Sequence, residues 1–304
     1  MERNLRIFVL ICTIDDGLRG VPSVLLPEEE GVHYVVSWQR RVGDSATKSP
    51  SAIDGMEQAG GDGRDGEGGG VAAAEKVLGE RMDVTLTTLE GRGLCRNRNH
   101  AMQTAVGLLD DPLEDVLFVV ADDDERFLPG AFARAREYFI RYSRLDVALF
   151  RVRDRLSSDY LKRYPPQALR YAARPRWYYP SSVEMVFRSR LWHAGVRFDE
   201  RFGLGSARLS AGEEEVFLAD ASAKGLNVWV LPADLCSTDA GTTGRSALDV
   251  KALRSKGAVY GRLLPRWRAF FRSLREAASL GLRHHRSPIP IFRTLWYGFT
   301  YIRS

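Results

Sequence analysis

The chain is poor in the residues that disulfides, membrane spans and cleaved leaders require. Its three cysteines, Cys12, Cys95 and Cys236, are far apart, odd in number and free of any CxxC spacing. This excludes a disulfide framework and a cysteine-based metal site, and predicts free thiols in a reducing compartment. No stretch approaches 18 consecutive apolar residues, so no spanning helix is expected. The apolar run 5–14 has Arg3 before it and Arg6 within it, as a leader would. It lacks a small-residue cleavage site and runs into Asp15-Asp16, so it reads as a first buried strand. Acid is in modest deficit, with 39 Asp and Glu against 44 Lys and Arg and a formal net charge of +5. The balance suits nucleotide phosphates, anionic headgroups or nucleic acid, and does not choose among them.

What is present is an α/β pattern. Its 304 residues allow one large domain or two small ones. Short β-branched or alternating runs at 5–13, 32–38, 82–88, 117–121, 147–152, 184–187 and 227–231 read as strands. Helical spacing follows at 91–105, 128–142, 191–195 and 212–224. Between the second and third strands, residues 43–70 are rich in Gly, Asp, Ser and Ala and end in GGDGRDGEGGG. Such a segment cannot bury enough apolar area to offset its ordering entropy, so a disordered surface insertion is expected over 43–75. A phosphate loop would need a strand before it and a capped helix after it at fixed spacing, and that pattern is absent.

The pattern centres on 116–126, VLFVVADDDER. A buried strand ends there in three aspartates, and Asp122 and Asp124, two apart, point the same way on an extended backbone. Two readings are open: carboxylates converging on a hard cation, Mg2+ or Mn2+, that carries a diphosphate, or a solvated acidic turn. The segment 91–105, GRGLCRNRNHAMQTA, places Arg96, Asn97, Arg98 and Asn99 in a helix's first turn. Cations there suit a bound phosphate, or else a solvated basic face. Arg174-Pro-Arg-Trp177-Tyr178-Tyr179 suits either sugar stacking or loop packing. Residues 261–304 hold nine arginines against one acid, Glu276, with Trp267, Phe270, Phe271 and Leu274 at helical spacing. Such a helix either lies on an anionic membrane or packs on the domain with its basic face in water.

The order strand, basic turn-helix, strand-DDD, aromatic loop, FDERFGLGS, GEEEVF resembles that of the family 2 glycosyltransferases of the GT-A fold, over about residues 5–244. Asp122, Asp124 and Pro129 match the family's D-x-D with its following proline. Gly93-Leu94-Cys95-Arg96-Asn97-Arg98-Asn99 resembles its basic turn-helix, Phe198-Asp199-Glu200-Arg201-Phe202-Gly203 its Phe–acid–Phe–Gly segment, and Gly212-Glu213-Glu214-Glu215-Val216-Phe217 its G-E-D-x-x-F helix start. The resemblance implies a GT-A fold, Rossmann-like with a mostly parallel central sheet flanked by helices, over 1–245, followed by a basic aromatic helical extension over 246–304. It also implies inverting transfer from a nucleotide-diphosphate sugar, a UDP-sugar being favoured, to a glycan or lipid-linked acceptor in surface-polysaccharide synthesis. The expected place is the cytoplasm, peripheral on the inner face of the membrane.

Carried over residue by residue, Glu214 stands where the family's base stands. Asp122 and Asp124 would hold Mn2+ or Mg2+. Thr13, Ser37, Gln39, Asp83, Arg96, Asn97, Arg98, Asp122 and Asp123 would meet the donor, and Trp177, Tyr178, Gly205 and Glu213 the acceptor. Three positions depart from the family: the base is Glu rather than Asp, the first strand ends Cys12-Thr13-Ile14 rather than Pro-Thr-Tyr, and Cys236-Ser237-Thr238-Asp239 stands where a histidine is common. Asp239 is the substitute third metal ligand. A sugar nucleotidyltransferase would need a longer glycine-rich loop than Gly17-Leu18-Arg19-Gly20-Val21-Pro22. The alternatives are an inactive sugar-nucleotide-binding relative and a basic nucleic-acid-binding protein. No nucleic acid is expected, because strand-terminal acids repel phosphate unless metal intervenes.

Overall fold

A computed structural model describes residues 5–41, 67–157, 159–239 and 248–304. The order is β1 (Ile7–Ile14), β2 (Val32–Arg40), α1 (Glu67–Gly79), β3 (Val84–Glu90), α2 (Leu94–Gly107), β4 (Leu117–Asp122), β5 (Arg126–Phe127), α3 (Ala131–Arg141), β6 (Val147–Asp154), β7 (Leu169–Arg170), β8 (Met185–Arg188), α4 (Arg190–His193), α5 (Glu213–Ala223), β9 (Val228–Thr238), α6 (Val250–Leu263), α7 (Arg266–His284) and α8 (Pro288–Arg303).

Among the described residues the nine strands form one sheet, ordered β3-β2-β1-β4-β8-β6-β9-β5, with β7 on β9. β3, β2, β1 and β4 run parallel, β6 and β9 run parallel, and β8 is antiparallel to both β4 and β6. The chain is therefore an α/β protein with a mostly parallel central sheet flanked by helices, as expected. Both faces of the sheet are covered, which is why its strands are almost continuously apolar. Ile7, Val9 and Ile11 enter the core beneath α3 and α1, while Phe8, Leu10 and Cys12 enter the core beneath α2 and α5. All three cysteines are free and buried.

The expected disordered insertion is corrected at its far end. Residues 67–75 belong to α1, whereas 43–66 lie outside the described residues. Ala72-Ala73-Ala74-Glu75-Lys76 are strong helix formers. Ala74 and Leu78, four apart, are buried, so tertiary packing adds to that propensity. The strand expected at 227–231 is longer: β9 runs on to Thr238, and β5 folds back on its end with Arg126 opposite Ser237.

α6 to α8 pack on the α/β unit beside the start of α5. Phe202, Leu209 and Val216 share a core with Ala258, Val259 and Ile302, and Ser210 N donates to Ser255 Oγ at 2.8 Å. α6 and α8 cross closely: a Cβ at Gly257 would collide with the Leu295 carbonyl.

Candidate active site

Parallel strands deliver their carboxyl ends to one edge, where ligands of open α/β sheets bind. Thr13 ends β1, Ser37 and Gln39 end β2, and Asp122 ends β4; Cys12 lies opposite both Ser37 and Asp122 in register. The loop after Asp122 is set by β5, which pairs with the end of β9 and so brings Asp124 near Asp239.

Asn97 lies one turn into α2 and is buried. Its Nδ2 donates to the Thr13 carbonyl at 3.0 Å, and it accepts from Ser37 Oγ at 2.5 Å. The two strand ends and α2 are thereby locked together. Gln39 is also buried, and its Nε2 finds no hydrogen-bond partner among the described residues. A buried amide left in that state is costly unless something else occupies it.

Arg98 is 2% exposed and bridges two parts of the site. Nη2 donates to Ser182 Oγ at 2.6 Å and to Asp122 Oδ1 at 3.4 Å, while Nη1 lies 3.6 Å from Glu213 Oε1. Burial works against its charge, but Asp122, Glu213 and Glu214 together hold its pKa above the ordinary value. The guanidinium also faces the Phe198 ring, 5.4 Å from its centroid. It thus joins the aspartate loop to the start of α5.

α5 begins with Glu213, Glu214 and Glu215, which favour the positive end of its dipole. Gly212 caps it at φ 96°, and a Cβ there would lie 2.5 Å from Val259 Cγ2, so the turn requires glycine. Glu213 is buried against Arg98, while Glu214 beside it is half-buried. Burial, then the negative charge of Glu213, push the Glu214 carboxyl up to about 8, with Arg98 opposing. A carboxyl in that range can take a proton near neutral pH.

The three aspartates are not equivalent. Asp123 turns toward the short 3-10 segment Asp15–Arg19, where it accepts a hydrogen bond from Thr13 Oγ1 and leaves no room for a Cβ at Gly17. Asp124 is pushed up by burial and by the charges of Asp122 and Asp239, against Arg155. That repulsion, between hard oxygen donors, is what a divalent cation would relieve. Asp122 and Asp124 therefore fit such an ion as a two-carboxylate site. Among the described residues no group of three His, Cys, Asp or Glu is arranged to ligate one. Asp239 is paired with Arg155, and its charge also acts on Asp124.

Other expected site residues are held elsewhere or by other partners. Asp83 precedes β3, so it stands at the amino end of a parallel strand, away from the edge where Thr13, Gln39 and Asp122 lie. It forms a paired bond with Arg81 at 2.6 and 2.9 Å, and its carbonyl serves Tyr34 N. Arg96 is exposed, with Nη1 on the Glu90 carbonyl at 2.7 Å. Arg98 is engaged by carboxylates, and Leu94 N is bonded to the Leu204 carbonyl. Tyr178 is buried with its hydroxyl on Glu184, and Glu213 is buried on Arg98. Trp177 is 39% exposed, beneath Arg163 at 4.2 Å. Gly205, at φ 81°, packs on the Gly93 backbone.

Three contributors escaped the sequence reading. Glu125 is fully buried under the aspartate loop; its Oε1 accepts from Asp122 N at 3.0 Å, and burial, then Asp122, push its carboxyl well up. A fourth acid in an acidic run looks solvated, so nothing in the pattern marked it. Ser182 and Arg155 come from distant segments and are joined to the site only by the fold, although Arg155 carries a faint signal as a charge just past a strand's carboxyl end.

No family model and no curated protein sequence matches the chain. Among solved structures it is similar to residues 1–349 of S. aureus TarS, with TM-score 0.53 and 14% identity over 88% of this chain and 68% of that one. A longer S. aureus TarS structure matches with TM-score 0.48 and 17% identity, over 88% of this chain and 42% of that one. The first likeness is one of fold.

Proposed function

We propose that the chain is an inverting glycosyltransferase. It moves a sugar from a nucleotide-diphosphate donor, preferably a UDP-sugar, to a hydroxyl of a glycan or lipid-linked acceptor in surface-polysaccharide synthesis. The observation that carries this reading is the buried Arg98, which spans from Asp122 at 3.4 Å to Glu213 at 3.6 Å and so sets a carboxylate pair at a strand end against a raised carboxyl, Glu214. A donor site and a general base need that proximity.

Asp122 and Asp124 would hold Mn2+ or Mg2+, which when bound offsets the charge of the diphosphate. Gln39 Nε2, buried and unsatisfied at the end of β2, supports nucleotide recognition on that side. Glu214 takes the acceptor hydroxyl's proton as that oxygen bonds to the anomeric carbon. The bond from that carbon to the diphosphate oxygen breaks, and the nucleoside diphosphate leaves with the electron pair. Attack from the face opposite the leaving group inverts the anomeric centre.

The test is product stereochemistry. An α-linked UDP-sugar incubated with the protein, Mn2+ and a glycan acceptor should give a β-linked product by NMR. An α-linked product would overturn the inverting mechanism, and release of UDP with no transferred sugar would overturn the transferase reading.

A further inference from the structure

We propose that α7 lies in the surface of an anionic lipid bilayer. This deepens the lipid-linked acceptor reading and rests on it only for its purpose, not for its evidence. α7 is 19 residues, about 28 Å long, and has three distinct faces. One is buried: Ala269 packs with Tyr260 and Phe299, and Ala277 and Leu280 pack with Leu253, Ile291 and Leu295. A second is apolar and open to solvent. Trp267, Phe270, Phe271 and Leu274 recur at i, i+3, i+4 and i+7, with exposures of 61, 39, 61 and 48%. Leu282 at 79% and Ile289 at 61% carry the stripe past the turn into α8. The third face is basic and exposed: Arg268, Arg272, Arg275 and Arg283 run along one flank of the stripe.

A helix that only covers its domain has no reason to present five large apolar side chains to water. Among the described residues no helix is long and apolar enough to cross a membrane, so α7 would lie on one rather than span it. Charge selects the occupant. Glu276, the single acid of residues 261–304, is already paired with Lys256. A second copy docked through the same face would bring like arginine rows together, because an isologous contact pairs a patch with itself. Nucleic acid would neutralise the arginines but would leave Leu274, Leu282 and Ile289 in water. An anionic bilayer offers headgroup phosphates at the level of the guanidinium groups and hydrocarbon below them, which matches both faces at once.

The experiment is flotation of the full chain, without nucleotide, with vesicles of phosphatidylcholine alone or mixed with phosphatidylglycerol. The protein should float with the mixed vesicles, much less with the neutral ones, and progressively less as salt rises. Trp267→Ser combined with Phe271→Ser should weaken binding at least about tenfold. Arg268→Gln combined with Arg275→Gln should weaken it by roughly tenfold or more, selectively on anionic vesicles. Circular dichroism of each variant checks folding, and the arginine pair, wholly on the surface, provides a test should the first pair disturb packing. A folded parent protein that fails to float with anionic vesicles would overturn the proposal. So would variants that bind as well as the parent, or a dimer abolished by the apolar pair with no vesicle binding, or duplex DNA binding in place of vesicle binding. Donor binding is read separately, so loss of membrane binding and loss of the transferase reading are distinguishable.

Discussion

Removing the Arg98 guanidinium would leave Glu213 buried beside Glu214 with no positive charge between the aspartate loop and α5. Breaking one side of a buried pair is more costly than never having it. Arg98→Met should therefore lower stability by about 3–5 kcal/mol in urea denaturation. Arg98→Lys should recover only part of this, because a point charge cannot serve Ser182, Asp122 and Glu213 together. Glu214 makes a prediction of opposite kind. Its carboxyl is raised from 4.5 to about 8, so the native state favours the neutral form. The associated stability is fully present below about pH 4.5 and is lost as pH rises through about 8. Glu214→Gln, neutral throughout, should raise Tm relative to the parent at alkaline pH and change it little in acid. The same variant should keep donor affinity and slow transfer roughly 10²- to 10⁴-fold, and transfer near the parent rate would remove Glu214 as base. At this scale the sequence was informative where chemistry follows from adjacency, as with Asp122, Asp124 and the Glu213–Glu215 run. It was silent where burial decides, as with Glu125.

Elements were legible wherever period and length agree. The strands that became β1, β2, β4 and β6 were readable as short apolar runs, and their parallel order carried the site to one edge. Asp83 shows the limit. The strand was recognised, but which of its ends meets the edge that holds Asp122 depends on where pairing starts, and β3 starts after Asp83. α1 shows another, since three glycines at 68–70 concealed a helix whose Ala74 and Leu78 are buried. The junction of α5 with α6 gives an element-scale prediction. Gly212→Ala places a Cβ in the left-handed region and against Val259, and should cost at least about 1 kcal/mol in thermal or chemical unfolding. Because Gly212 precedes the acidic first turn, transfer should fall with stability. A variant that loses neither would show that α5 and α6 are not fixed through this contact.

For the whole molecule, the α/β unit supplies a site edge, and α6 to α8 brace α5, whose first turn holds Glu214, while turning an apolar and basic face outward. The helical extension was legible from composition, but its contact with the start of α5 was not, because Ser210–Ser255 and Val216–Val259 join residues far apart in sequence. The similarity to S. aureus TarS at 14% identity shows how little sequence a shared fold retains. The central claim is a nucleotide-diphosphate site assembled by Asp122 and Asp124, and calorimetric titration with UDP, GDP, CDP and TDP, each with Mn2+ and with EDTA, tests it most directly. One nucleotide, UDP, should bind with Mn2+ and not with EDTA, and Asp124→Ala should abolish that binding. Binding that is the same with and without EDTA, or no binding of any of the four by folded protein, would contradict the account.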